Sequence, residues 1–154
     1  MPKTTSGALR GVGCRAQSPS GGTSRQQRSN GQRLLFVDDE PGIRQTLPVI
    51  LEQHGFEVHV ASTAKEAMAI MQSDKFDVLL SDLNIGAEGD GFAVVSEMRR
   101  LHPKCVNLLL TGFPAFESAV EAIRRGVDDY FVKPADIEVI LSTIEVKLKK
   151  SETA

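Results

Sequence analysis

Phe76-Asp77-Val78-Leu79-Leu80-Ser81-Asp82 is an apolar run that ends on an acid. Continuous rather than alternating, it has the pattern of a short strand buried on both faces. Similar runs stand on either side. Leu34-Leu35-Phe36-Val37 leads into Asp38-Asp39, Val106-Asn107-Leu108-Leu109-Leu110 into Thr111, and Tyr130-Phe131-Val132 into Lys133-Pro134. Phe56, Val58 and Val60 alternate as one more strand.

Helical spacing fills the gaps. Pro41 follows acids in the manner of a helix start, Ile43, Leu47, Ile50 and Leu51 recur at helical intervals, and Gly55 stops the run. Pro48 lies inside that helix and is expected to kink it or remove one backbone bond. Ser62 or Thr63 caps a second helix with Ala64, Ala67, Met68 and Met71 inward. A glycine-containing loop from Asn84 to Gly91 leads to a third, with Phe92, Val95 and Met98 inward. Pro114 opens a fourth through Ala119, Val120 and Ile123, closed by Gly126. Asp136 caps the last, whose inner face is Ile137, Ile140, Leu141, Ile144 and Leu148. Lys147, Lys149 and Lys150 stand near its carboxyl end, where the helix dipole favours cations. Five strands alternating with five helices predict an α/β fold, a doubly wound parallel sheet with helices on both faces.

Size and composition agree with one such domain plus a tail. The chain has 154 residues, 41% hydrophobic and 25% charged. It contains no apolar run near the roughly 18 residues of a membrane helix, and no apolar stretch like that of a secretory signal follows Met1. Cys14 and Cys105 lack metal-type spacing, so a reducing, cytoplasmic setting is expected. Six of the 18 basic residues and none of the 20 acidic ones lie in residues 1–33, so the rest carries 12 against 20, a net of −8. Residues 1–31 are poor in apolar side chains and are expected to be a disordered basic tail. Their basic residues are spread out, which favours a solvated tail, or residues added by an early start codon, over a nucleic-acid arm. The Arg- and Ser-rich composition also resembles a transit peptide, without the apolar face one needs.

In open α/β sheets, ligands bind outside the carboxyl ends of the strands. Those ends carry Asp38-Asp39, Asp82, Thr111 and Lys133. Three carboxylates brought together repel unless a cation intervenes. Oxygen-only ligands suit Mg²⁺, and Lys133 adds a fixed positive charge. The set suits phosphoryl transfer to a carboxylate: Asp82 as nucleophile, metal and Lys133 neutralising the equatorial oxygens, and the Thr111 hydroxyl donating to one of them. Gly112 leaves the entrance open. Singly, each residue has a plain reading. Asp38 and Asp39 could cap the first helix, Asp82 could be a solvated strand end, Thr111 a loop hydroxyl and Lys133 a surface lysine. Their joint placement at four strand ends is what favours a site.

These motifs, Val37-Asp38-Asp39-Glu40, Leu80-Ser81-Asp82, Leu110-Thr111-Gly112 and Val132-Lys133-Pro134, resemble those of the receiver domain of bacterial two-component response regulators, of the single-domain, chemotaxis-regulator-like kind. The resemblance covers about residues 32–150 and implies a flavodoxin-like strand order 2-1-3-4-5. It implies that Asp82 is the phosphoacceptor, supplied by a sensor histidine kinase or a histidine phosphotransfer protein. It implies Asp39 and Asp82 as direct Mg²⁺ ligands, Asp38 acting mainly through water, and the backbone carbonyl of Asn84 as a further ligand. Lys133 becomes the phosphate-contacting lysine, with a cis bond to Pro134. Thr111 becomes the switch hydroxyl and Tyr130 the switch aromatic, otherwise read as a half-buried strand residue. The surface of the fourth helix, fifth strand and fifth helix becomes the face for a partner protein or a second copy. Neither nucleic acid nor membrane is an expected direct partner.

Beside that resemblance, Arg124-Arg125 reads as a solvated helix end, and Phe113 and Phe116 as loop packing near Thr111. One stretch departs from the family, which commonly has proline four residues after the phosphoacceptor and glycine eight after. Here Gly86 is fourth and Gly91 ninth. The intervening loop is expected to be one residue longer and more flexible, which bears on the lifetime of an acyl phosphate.

The expected role is a phosphorylation-controlled signalling domain, not an enzyme beyond self-catalysed phosphotransfer and slow autodephosphorylation. Residues 151–154 read as a short tail, too short for an effector unit. The alternative is a truncated or fragment form of a transcriptional regulator lacking its DNA-binding domain. An Asp-nucleophile phosphatase typically needs a second acid soon after the nucleophile, where this chain has Leu83-Asn84. A dinucleotide binder needs a glycine-rich first turn, where this chain has Asp38-Asp39-Glu40-Pro41. A pseudo-receiver is disfavoured because all five site residues are present.

Overall fold

A computed structural model describes residues 31–87, 90–112 and 115–153. Five strands alternate with five helices: β1 (Arg33–Val37), α1 (Pro41–Gln53), β2 (Glu57–Ala61), α2 (Ala64–Ser73), β3 (Val78–Asp82), α3 (Asp90–Leu101), β4 (Val106–Thr111), α4 (Phe116–Arg124), β5 (Asp129–Val132) and α5 (Ile137–Thr153). The strands form one parallel sheet in the order β2-β1-β3-β4-β5. That is the expected doubly wound order 2-1-3-4-5. The tail proposed for residues 1–31 lies outside the described residues except at Gly31, whose N–H donates to the Gly55 carbonyl at 3.0 Å.

The sheet divides two apolar layers. On one side Leu35, Val37, Leu79 and Leu109 pack with Ala67 and Met71 of α2, Val94, Val95 and Met98 of α3, and Ala122 of α4. On the other, Leu34, Phe36, Val78, Leu80, Leu108 and Leu110 pack with Leu51 of α1 and Ile140 and Ile144 of α5. Each central strand supplies both layers, so its residues are apolar in succession.

Local chemistry sets the helix ends. The Thr63 hydroxyl accepts from the Glu66 N–H at 3.0 Å, and the Glu66 carboxylate accepts from the Ser62 N–H at 2.8 Å. The first bond is an N-cap, and the second ties Glu66 back to the residue before that cap, a variant of the capping box. Asp136 accepts from the Glu138 N–H at 2.9 Å at the start of α5. Gly55 and Gly126 have φ of 97° and 81°, values that favour glycine after a helix end.

α1 runs continuously through the buried Pro48, which has no N–H and so removes one helical bond as expected. One expectation changes. On α4 the core residue is Ala122, 2% exposed, whereas Ile123 is 77% exposed. One residue is a turn of about 100° on a helix, so facing Ala122 to the core turns Ile123 outward. Arg125 is exposed, as expected of a helix end, yet it is not unpartnered: it donates to Glu121 at 2.8 Å and to Ser96 Oγ at 2.9 Å, and lies over the Phe92 ring at 5.5 Å. Arg124 remains 74% exposed at its side chain. The expected opening of α4 at Pro114, and the place of Phe113, fall outside the described residues.

Candidate functional site

Register brings the strand ends into line. Val37 pairs with Ser81, Asp82 with Leu110, and Thr111 with Val132. The next residues of β1 and β5 are Asp38 and Lys133, so Asp38, Asp82, Thr111 and Lys133 emerge at one edge of the sheet. Parallel strands share their carboxyl ends, which is why residues separated by nearly one hundred positions meet.

Lys133 is at the centre. Its Nζ donates to Asp38 Oδ2 at 3.1 Å, Asp82 Oδ2 at 3.2 Å and Glu40 Oε1 at 3.2 Å. Asp38 is fully buried and Asp82 is 6% exposed. Asp38 Oδ1 also accepts from the Glu40 N–H at 2.9 Å, and the Asp38 carbonyl accepts from Arg44 at 3.1 Å. Asp82 Oδ1 faces the Asn84 N–H at 3.3 Å. Asp39 is exposed and accepts at Oδ2 from the Gly86 N–H at 2.9 Å. The Lys133–Pro134 bond is cis.

The charge balance is unfavourable without a further cation. One carboxylate oxygen each from Asp38, Asp39 and Asp82 lies within 4.8 Å of the other two. Among them stands one ammonium group. Burial pushes the Asp82 carboxyl above its ordinary pKa; the Lys133 ammonium pulls it down and the Asp38 charge pushes it up. For Lys133 burial works against the charged form, but the charges and hydrogen bonds of Asp38 and Asp82 outweigh it and raise its pKa. An all-oxygen donor set with excess negative charge fits a hard divalent cation. The acid pocket is therefore a divalent-metal site in its chemistry. An open groove of about 680 Å³ reaches Asp82 between α1 and the start of α5, with Ile43, Leu47, Pro134 and Ile140 along its walls.

Thr111 is fully buried and its carbonyl accepts from the Lys133 N–H at 2.8 Å. Tyr130 pairs with Leu109, two residues before Thr111 on the neighbouring strand. It packs against the layer holding Leu109, and its hydroxyl is buried with no hydrogen-bond partner among the described residues. The structure thus brings together every residue expected at the strand ends.

Two contacts were not foreseen. Glu40 shares Lys133, and Gly86 holds Asp39. Glu40 directly follows Asp38-Asp39, a signal that could have been used. The Gly86 contact depends on a loop path that no periodicity reports. Where that loop enters α3, Gly91 is needed for close approach: a Cβ there would lie 2.4 Å from the Asp82 carbonyl oxygen.

Comparison with known proteins agrees with this geometry. Residues 34–145 match the family described as "Response regulator receiver domain". The transcriptional regulatory protein ZraR of Salmonella typhimurium is 35% identical over 115 residues, which cover 75% of this chain and 26% of ZraR. The chain thus spans about a quarter of the length of that curated relative. Among solved structures, a CheY-like response regulator receiver domain protein from Methanospirillum hungatei JF-1 superposes with a TM-score of 0.75 at 29% identity, covering 80% of this chain and 98% of that one. A response regulator protein from Burkholderia pseudomallei with a phosphorylated aspartic acid, calcium ion and citrate gives 0.70 at 29% identity, covering 79% and 71%. With the family matched across the sheet and all four strand-end motifs, the chain belongs to the response regulator receiver domain family.

Proposed function

We propose that the chain accepts a phosphoryl group on Asp82 from a phosphohistidine of a sensor histidine kinase or histidine phosphotransfer protein, and signals by a conformational switch. The observation that carries this reading is Asp82 itself, a nearly buried carboxylate held 3.2 Å from Lys133 at the acidic end of the groove. A carboxylate oxygen of Asp82 forms the new bond to phosphorus, and the bond from phosphorus to the imidazole nitrogen breaks, with its electron pair leaving on the ring. Lys133 Nζ holds positive charge where the phosphoryl oxygens arrive. Mg²⁺ is the proposed ion, held by Asp39, Asp82 and the Asn84 carbonyl with Asp38 through water; bound there, it would neutralise charge on carboxylates and phosphoryl oxygens.

Thr111 is the proposed switch hydroxyl and Tyr130 the switch aromatic. Their neighbouring strands and the buried, unpartnered Tyr130 hydroxyl support a coupled movement. Among the described residues six large apolar side chains are exposed, and four of them, Ile123, Val132, Val139 and Val146, lie on α4, β5 and α5. That distribution supports this face as the contact for a partner protein or a second copy. The receiver unit is proposed as residues 32–150, preceded by a tail at 1–31, acting as a cytoplasmic signalling domain rather than an enzyme; residues 151–153, expected as a tail, instead continue α5. No helix among the described residues is long and apolar enough to cross a membrane. A second reading is the receiver part of a transcriptional regulator, favoured by the quarter-length match to ZraR.

Incubation with acetyl phosphate and Mg²⁺ tests the assignment. Intact-mass measurement should show one added phosphoryl group in the parent and none in Asp82→Asn. Equal uptake by both proteins would remove Asp82 from the role.

A further inference from the structure

Asp39 differs from its two acidic neighbours. Asp38 and Asp82 are buried and both touch Lys133, whereas Asp39 is exposed. An exposed carboxylate with no fixed partner turns freely about its side-chain bonds, and a cation must then immobilise it on binding. Here one bond holds it: the Gly86 N–H donates to Asp39 Oδ2 at 2.9 Å across 47 positions of sequence. A backbone N–H on a carboxylate is a charge-assisted bond, shorter and stronger than a neutral one. It uses one of about four lone-pair sites on the carboxylate and leaves the others for a cation.

The backbone at Gly86 shows why this residue does it. Its φ is +82°, in the left-handed region that favours glycine. A Cβ built there would meet nothing within 4 Å, so space does not require glycine. What glycine supplies is the turn that aims its N–H at Asp39. The preceding residue anchors that turn, since Ile85 is 3% exposed in the apolar layer under α3.

We propose that Gly86 is a positioning residue whose backbone N–H fixes the Asp39 carboxylate in the acid cluster and so sets the cluster's affinity for a divalent cation. This rests on the cluster being a cation site. The expected size follows from other metal sites, where losing a group that orients a ligand costs about 10–100-fold in affinity.

The test is Mg²⁺ titration by calorimetry on the full chain and two variants. Gly86→Pro removes the N–H and cannot reach positive φ. Gly86→Asn keeps the N–H and tolerates positive φ better than most residues. Gly86→Pro should bind Mg²⁺ about 10–100-fold more weakly, and Gly86→Asn should stay near the parent. Equal affinity in Gly86→Pro, or a loss in Gly86→Asn as large as in Gly86→Pro, overturns the proposal while leaving the cation site intact. A parent chain that binds no Mg²⁺ overturns both. If Gly86→Pro does not fold, nuclear magnetic resonance of the labelled parent decides. A scalar coupling through the hydrogen bond, from the Gly86 amide nitrogen to the Asp39 carboxyl carbon, is the expected signature, and its absence counts against the bond.

Discussion

Asp82 carries a cost that its proposed role as phosphoacceptor explains. Burial disfavours its ionised form, and the nearby Asp38 charge adds to this, with Lys133 offsetting part. An acid whose folded pKa is raised contributes stability below its unfolded pKa and loses it as pH rises through the folded one. Metal-free Asp82→Asn should therefore melt above the parent at neutral pH, and the gap should close below the ordinary carboxylate range. Thermal scans in chelator at two pH values check this; a neutral-pH melting point below the parent's would contradict it. Asn107 is a second costly residue. It is fully buried in β4, and neither polar atom of its side-chain amide has a hydrogen-bond partner among the described residues. An unsatisfied buried polar group costs about 1–3 kcal/mol, so the near-isosteric Asn107→Leu should gain stability on that order in urea unfolding.

At the scale of elements, α4 is held from one end. Arg125 donates to Ser96 of α3 and to Glu121 of its own helix, and its guanidinium lies over Phe92. Arg125→Ala should speed amide exchange along α4 more than elsewhere. Global stability should fall by less than about 1 kcal/mol, since partly exposed ion pairs contribute little. Uniform exchange changes across the sheet would refute this local tether. The same helix shows where sequence patterning stops. Its apolar residues were visible, but Ala119, Val120, Ala122 and Ile123 permit more than one phase, and packing chose Ala122. Polar residues near a helix end look solvated in sequence, so the reach of Arg125 to α3 could not be read. By contrast, the capping contacts of Ser62, Thr63 and Glu66 are a local pattern and were legible in part, through the N-cap.

Across the whole molecule, the sheet and the site were legible for one reason. Buried parallel strands read as apolar runs, and their carboxyl ends lie along one edge, so Asp38, Asp82, Thr111 and Lys133 could be placed together before any distance was known. The β3–α3 loop was legible only as a departure. Its length showed in the spacing of Gly86 and Gly91, but the Gly86–Asp39 bond arises from backbone direction, which composition does not encode. All of these parts serve one claim, that the covalent acceptor is Asp82. The direct measurement is to load the chain with acetyl phosphate and Mg²⁺, reduce the acyl phosphate with borohydride, and locate the modified residue by peptide mass spectrometry. Conversion of Asp82 to homoserine, with Asp38 and Asp39 unchanged, is the predicted result. Modification at either of those residues instead, or at none, would contradict the account.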